Sequence, residues 1–262
     1  MDNPLRFVHI TDSHIGPSAD YVLRGCNTYA ALQALVTHLN NDLPFTPDFI
    51  LHTGDVTYDP DPVAYPVAQS LLCQLKYPIY YVRGNHDDPD AMRQTLPNLP
   101  AGTGRLDYDF TVRGFHFIVL DAFGHVQPAG YLEDYQLAWL QKTCQTSTAR
   151  SLVIALHHLP VETGVGWYDA EMAIENHDAL FATLKAFQNR VRGLFYGHIH
   201  RGSTTLREGM VCSSAAAISM QLHSWPTQTD ILTDTATPHG FNVVTLTHDQ
   251  TWITQHSFVE AS

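Results

Sequence analysis

The sequence predicts an α/β fold of two packed mixed sheets with helices outside. Three observations predict it. Short apolar runs alternate with helical patterns through most of the chain, the tail from Ser203 onward is rich in strand patterns, and one sheet holding every strand would be overlong. Strand–helix repetition implies parallel strands with crossover helices. No internal repeat or low-complexity linker interrupts the 262 residues, so one domain spanning 1–262 is expected.

The strand candidates are Arg6 to Thr11, Asp48 to Thr53, Pro78 to Val82, Phe115 to Leu120, Ser151 to Leu156 and Arg192 to Tyr196, all short and apolar, β-branched or aromatic. Helical patterns lie between them: Thr28 to Asn41, Val63 to Lys76, Glu133 to Gln145 and Glu175 to Asn189. The first carries Ala30, Ala31, Ala34, Leu35 and His38 at helical spacing, with Pro44 beyond its end. Arg113-Gly114 joins the alternating runs Leu106 to Val112 and Phe115 to Leu120 as a hairpin turn. Asp88 before Pro89 reads as a helix N-cap. The tail supplies strands at Thr204 to Arg207, Met210 to Ser213, Asn242 to Thr247 and Trp252 to Phe258. Two segments lack a core role. Asp59-Pro60-Asp61-Pro62 is a rigid loop, and residues 220–238 form a long polar stretch expected to act as a lid or an oligomer contact.

Seven residues of metal-ligand type sit in five motifs, each near the end of a strand candidate: Asp12 and His14 in TDSHIG, Asp55 in HTGDVT, Asn85 in RGNHDD, His157 in ALHHLP, and His198 and His200 in YGHIH. Open α/β sheets bind ligands at the carboxyl ends of their strands, which is where these motifs fall. In an extended chain, side chains two residues apart point the same way, so Asp12/His14 and His198/His200 can each aim a pair into one cavity. The donors are carboxylate, amide oxygen and imidazole, with no thiolate. Such a set suits Zn, Mn, Fe or Co and disfavours a Cys-type zinc site or an all-oxygen calcium site. Seven ligands exceed one tetrahedral ion and fit two ions sharing a carboxylate, for which Asp55 is the natural bridge. His86, beside Asn85, is the candidate proton donor, because imidazoles titrate near ~6.5 and can protonate a leaving group at neutral pH.

This series of motifs resembles the calcineurin-like metallophosphoesterases, and within them the bacterial class III cyclic-nucleotide and glycerophosphodiester phosphodiesterases. The likeness runs from about Arg6 to Leu246 and includes Tyr131-Leu132, Trp139-Leu140, Trp167-Tyr168-Asp169 and Pro238 to Phe241. Leu159 stands where many relatives carry a proline, although Pro160 still follows. The resemblance implies a four-layer α/β/β/α sandwich and two divalent or trivalent transition-metal ions (Fe, Mn, Zn or Co). It implies Asp12, His14, Asp55 and His200 around the first ion, and Asp55, Asn85, His157 and His198 around the second. The expected reaction is hydrolysis of a small phosphodiester by metal-bound hydroxide attacking phosphorus, with charge building on the equatorial oxygens and the departing alkoxide. A phosphomonoesterase or nuclease using the same ligands is the alternative, and a non-catalytic scaffold of this fold is a further one that the intact set of eight residues counts against. The resemblance is compatible with a homodimer or higher homo-oligomer.

Composition narrows the partners. With 26 acidic against 14 basic residues the net charge is -12, which argues against nucleic acid or anionic membranes and for a small ester. Cys26, Cys73, Cys144 and Cys212 stand far apart with no CxxC pair, as reduced thiols do. The opening residues lack a basic n-region and an apolar h-region, so a cytoplasmic location is expected. Most of the 16 histidines are ordinary residues. His9 and His52 lie within strands and should be satisfied in the core. His158 neighbours a ligand but should face the other way. Tyr58, Trp167 and His223 fit packing roles better than substrate contact, and Asp87 fits an orienting carboxylate.

Overall fold

The computed structural model describes residues 4–58 and 63–259, so the loop Asp59-Pro60-Asp61-Pro62 lies outside the described residues. Strand β1 (Leu5–Ile10) leads into a small hairpin, β2 (Val22–Leu23) and β3 (Cys26–Asn27), and then helix α1 (Thr28–Asn41). Next come β4 (Phe49–His52), α2 (Ala64–Leu72), β5 (Ile79–Tyr81) and α3 (Pro89–Thr95). A hairpin of β6 (Tyr108–Val112) and β7 (Phe115–Val119) precedes α4 (Asp134–Thr146), β8 (Ser151–Ala155), α5 (His177–Leu184) and β9 (Val191–Tyr196). The remaining pairs are β10 (Ser203–Arg207) with β11 (Met210–Ser214), β12 (Gln221–Leu222) with β13 (Thr233–Asp234), and β14 (Gly240–Leu246) with β15 (Thr251–Ser257).

Two mixed sheets result. One has the order β15-β14-β1-β4-β5 and the other β10-β11-β9-β8-β7-β6. The central strands β1, β4 and β5 are parallel, as are β11, β9, β8 and β7, while antiparallel hairpin partners close the edges. The sheets meet through aromatic rings. Phe7 of β1 and Phe49 of β4 stack at 5.0 Å, and Phe117 and Phe195 of the other sheet pack edge-on to Phe7 at 5.7 and 5.2 Å.

Side-chain alternation then builds the outer layers. In β8, Val153 and Ala155 join the core that includes Phe7 and Leu35 of α1, whereas Leu152 and Ile154 join the core holding Leu140 of α4 and Leu180 of α5. Strands buried on both faces read as unbroken apolar runs, which is why the sequence marked them. The architecture is therefore the expected four-layer α/β/β/α sandwich. Helix α3 starts as predicted: Asp88 Oδ1 accepts from the amides of Asp90 and Ala91, and Pro89 occupies the first turn. The helix expected over Glu175 to Asn189 is shorter, ending at Leu184 and continuing as a tight turn to Phe187. No helix among the described residues is long and apolar enough to cross a membrane.

His9 and His52 are buried in this core, with His9 Nε2 2.9 Å from Thr53 Oγ1 and His52 Nε2 3.0 Å from Ser13 Oγ. Burial lowers the pKa of each to about 3, and His52 pushes His9 in the same direction. Folded-state pKa values depressed below the unfolded value give stability that is complete above about pH 6.5 and lost as pH falls toward 3. We expect unfolding free energy to drop by about 2 kcal/mol per histidine between pH 7 and 5. Urea midpoints that stay flat across that interval would contradict two buried neutral imidazoles.

Candidate metal centre

The five motifs occupy loops that leave β1, β4, β5, β8 and β9 at their carboxyl ends, so both sheets contribute to one site. The backbone there corrects one expectation. Asp12 (φ 54), His14 (φ 46), Asp55 (φ 54), His198 (φ 72) and His200 (φ 49) are left-handed, not extended. Each pair converges through two left-handed residues in place of the simple pleat. For residues with a Cβ this conformation costs roughly 1–2 kcal/mol apiece, and such strain concentrates at functional sites.

The side-chain atoms fall into two linked groups. On one side, His14 Nε2 and His200 Nε2 lie 3.0 Å apart, with Asp12 Oδ1 at 3.8 and 3.5 Å from them. On the other, His157 Nε2 lies 3.1 Å from His198 Nδ1, 3.2 Å from Asn85 Oδ1 and 3.2 Å from Asp55 Oδ2. Asp55 Oδ2 is also 3.6 Å from His14 Nε2, which places this carboxylate between the groups. The donor sets Asp12–His14–His200 and Asp55–His157–His198 are each compact enough to hold an ion, as is His14–Asp55–His86.

A pair of metal ions fits what these atoms need. An ion with bonds of about 2.1 Å spaces its ligand atoms roughly 3.0–3.4 Å apart, close to the separations above. The far nitrogens are already engaged: His157 Nδ1 donates to the Thr53 carbonyl at 2.7 Å, and His200 Nδ1 donates to the Met220 carbonyl at 2.8 Å. Both rings therefore turn Nε2 inward, as ligating histidines do. Asp12 Oδ2 is held by Thr11 Oγ1 at 2.7 Å and by the His198 amide at 3.0 Å, while the inward Oδ1 is buried without a partner.

Electrostatics agree. Burial holds His14 and His198 well below the ordinary histidine range, with neighbouring histidines adding to the effect at both. At His157 burial also pulls downward, but Asp55 outweighs it and lifts the pKa to about 9. Positive charge is wanted beside Asp55, and a cation supplies it without a proton. Burial raises the pKa of Asp12, an effect that His200 and His157 partly offset.

Close backbone approach makes the packing possible. A Cβ on Gly84 would sit 2.1 Å from Asp55 Oδ1 and 2.3 Å from Asp55 N, and one on Gly54 (φ 101) would sit 2.5 Å from His157 Nδ1. Gly84→Ala should cost about 2–3 kcal/mol by overpacking and displace Asp55. Urea denaturation and bound-metal analysis would check it, and full metal content at unchanged stability would refute the clash. Beneath the loop, Asp87 accepts from the amides of Val56, Thr57 and Gly84 and from Tyr65 Oη. Burial raises its pKa to about 6, with the charge on Asp55 adding to that. It orients the loop as expected.

His86 is half-buried at the mouth of the site, its amide donating to Asp55 Oδ1 at 2.9 Å. Its ring stacks on Tyr58 at 4.9 Å and packs edge-on to His14 at 5.1 Å. The pocket over the site is also lined by Arg24, Trp167, Met172, Met220, Leu222 and Ile231. Tyr58 and Trp167 pack as expected, Trp167 buried in the core beside Tyr168 and Tyr58 stacked on His86, and both also line the pocket. His158 does not turn away from the site as expected: it is buried, its ring 4.7 Å from that of His198 and 5.2 Å from that of His157. Among the described residues neither of its ring nitrogens has a hydrogen-bond partner.

Residues 220–238, expected as a lid or oligomer contact, border the pocket: Met220, Gln221 and Leu222 are buried, β12 pairs with β13, and Met220, Leu222 and Ile231 line the pocket. Arg201 ties it down through Asp234 Oδ2 and Thr237 Oγ1, each at 2.7 Å. Thr11, Arg24 and the Met220 carbonyl went unnoticed in the sequence. Thr11 adjoins a ligand motif and could have been found; a backbone carbonyl carries no sequence signal.

Comparison with known proteins agrees with this geometry. The calcineurin-like phosphoesterase family model matches residues 5–202. The chain is 30% identical over 200 residues to the 3′,5′-cyclic adenosine monophosphate phosphodiesterase CpdA of Pseudomonas aeruginosa, covering 76% of this chain and 71% of that protein. It is 29% identical over 253 residues to a 3′,5′-cyclic-nucleotide phosphodiesterase of Nostoc, covering 96% and 91%. It is 30% identical over 218 residues to the glycerophosphodiester phosphodiesterase GpdQ of Enterobacter lignolyticus, covering 80% and 76%. Among solved structures, a dimetal phosphatase from Danio rerio superposes with a TM-score of 0.70 over 98% of both chains at 16% identity, a likeness of fold.

Proposed function

We infer the activity from one premise: this chain belongs to the calcineurin-like phosphoesterase family. It is a metal-dependent phosphoric diester hydrolase acting on small phosphodiesters, of the cyclic-nucleotide or glycerophosphodiester kind. The observation that carries the reading is the pair of buried donor groups sharing Asp55. Asp12, His14, Asp55 and His200 would hold one ion, and Asp55, Asn85, His157 and His198 the other, the ions being Fe, Mn, Zn or Co. Ions held there would supply Lewis-acid charge for the phosphoryl oxygens and a nucleophile at neutral pH.

The chain's own residues do the rest. Asp55 Oδ2 approaches His14 and His157, so its charge would offset cations held in either group. Met220 O and Thr53 O fix the tautomers of His200 and His157. His86, kept in place by its amide bond to Asp55 and by the Tyr58 ring, reaches over the mouth to protonate the departing alkoxide. Trp167, Met172 and Leu222 form an apolar wall that limits water.

The test is hydrolysis of bis(p-nitrophenyl) phosphate and p-nitrophenyl phosphate by metal-stripped protein reloaded with Mn, Zn, Fe or Co. Diester hydrolysis should return with metal and exceed monoester hydrolysis. Monoester preference would replace the diesterase reading with a phosphomonoesterase one, and failure on both esters with two ions bound would overturn catalysis altogether.

A further inference from the structure

The pocket wall described above carries one arginine or lysine among its described residues, Arg24. Arg24 is exposed at the mouth, and among the described residues its guanidinium has no hydrogen-bond or ion-pair partner. Arg83, Arg93, Arg105, Arg201 and Arg207 are by contrast each paired with a carboxylate, so of these arginines Arg24 is the one whose charge is available to a ligand in the pocket. A tight hairpin turn carries it. Arg24 (φ 49) and Gly25 (φ 87) form the two-residue turn between β2 and β3. The same left-handed X-Gly turn closes the β6–β7 hairpin at Arg113-Gly114 and the β10–β11 hairpin at Glu208-Gly209, so the turn fixes where Arg24 projects and does not itself mark a function.

The hairpin's position gives the arginine a direction. Tyr21, at its base, lies 6.3 Å from the Tyr58 ring, and Tyr58 stacks on His86. The hairpin that carries Arg24 is thus linked through Tyr21 and Tyr58 to His86, and Arg24 lines the same pocket as the apolar residues Trp167, Met172, Leu222 and Ile231. The scissile phosphoryl group belongs at the floor between the donor groups. What reaches Arg24 is the ester arm above it.

We propose that Arg24 is a specificity-determining residue that reads the alcohol arm of the diester, favouring anionic or acceptor-rich arms such as a nucleoside and rejecting arms that carry an ammonium cation. A guanidinium offers a planar fork of donors to acceptor groups, and a like charge brought to the mouth is repelled. The inference rests on the diesterase reading, and it divides the two substrate kinds that reading allows: cyclic nucleotides pass, while glycerophosphocholine is disfavoured.

The experiment compares kcat/KM for 3′,5′-cyclic AMP and for glycerophosphocholine in metal-loaded full-length protein and in Arg24→Lys, Arg24→Asn and Arg24→Glu. Asn suits the left-handed turn, so its effect reports charge and not folding. The ratio of the two kcat/KM values should fall about 10-fold in Arg24→Asn and further in Arg24→Glu, and Arg24→Lys should restore most of it. Calorimetric binding of the hydrolysis-resistant phosphorothioate of cyclic AMP should weaken in the same order. A ratio and an affinity that ignore the charge at position 24, with both substrates changing by one common factor, would overturn the assignment. If the wild-type protein hydrolyses no diester, the diesterase reading falls, and the calorimetric order still decides whether Arg24 reads the arm.

Discussion

Asp55→Asn is expected to lower kcat for bis(p-nitrophenyl) phosphate by about 10³-fold and to remove bound metal. Asn keeps the shape of Asp and can still accept the His86 amide bond now made to Oδ1 at 2.9 Å. It cannot keep the charge that Oδ2 places 3.2 Å from His157 Nε2 and 3.6 Å from His14 Nε2. The loss is larger than for a ligand that serves one donor group, because among the described residues Asp55 Oδ2 approaches ligand nitrogens of both groups. A measured metal content below one ion per chain, with the fold intact by circular dichroism, is the expected result. Two ions per chain and an unchanged rate would remove Asp55 from the bridging position.

The second large effect concerns His86. His86→Ala should slow hydrolysis of diesters with poor alkoxide leaving groups by about 10²–10³-fold. Bis(p-nitrophenyl) phosphate should lose less than about tenfold, because p-nitrophenolate departs without a proton donor. The split between the two substrates separates proton donation from mere support of the ion site. Equal losses on both, with both ions retained, would make His86 an electrostatic or structural group. His86 is half-buried at the pocket mouth, where a leaving group would exit, and its ring packs on His14 without replacing any contact of the ligand groups.

Much of this was legible in the chain. The central strands announced themselves as unbroken apolar runs because both faces are buried, and α1 matched its predicted span, Thr28–Asn41. The ligand-type residues were legible because each motif follows such a run, and the structure gathers them, although His14 and His200 lie 186 residues apart. What stayed hidden was conformation. Nothing in TDSHIG or GHIH distinguishes a left-handed Asp12 or His200 from an extended one, since tertiary packing imposes the choice. Residues 220–238 read as a polar loop because strands of two residues, such as Gln221–Leu222, are too short to carry a period. Their apolar members, Leu222 and Ile231, acquire meaning only from the pocket they border.

The left-handed backbone at Asp12, His14, Asp55, His198 and His200 has a consequence for how such a chain drifts. At each of these positions Gly or Asn would relieve the main chain, so folding and chemistry pull in opposite directions at the same five codons. While the chemistry is under selection, the costlier residues persist. Once selection lapses, substitution toward Gly or Asn is stabilising and should come early, before the aromatic core between the sheets erodes. A descendant with Gly at these sites and the phenylalanine cluster intact would therefore be a well-folded protein that has stopped being an enzyme.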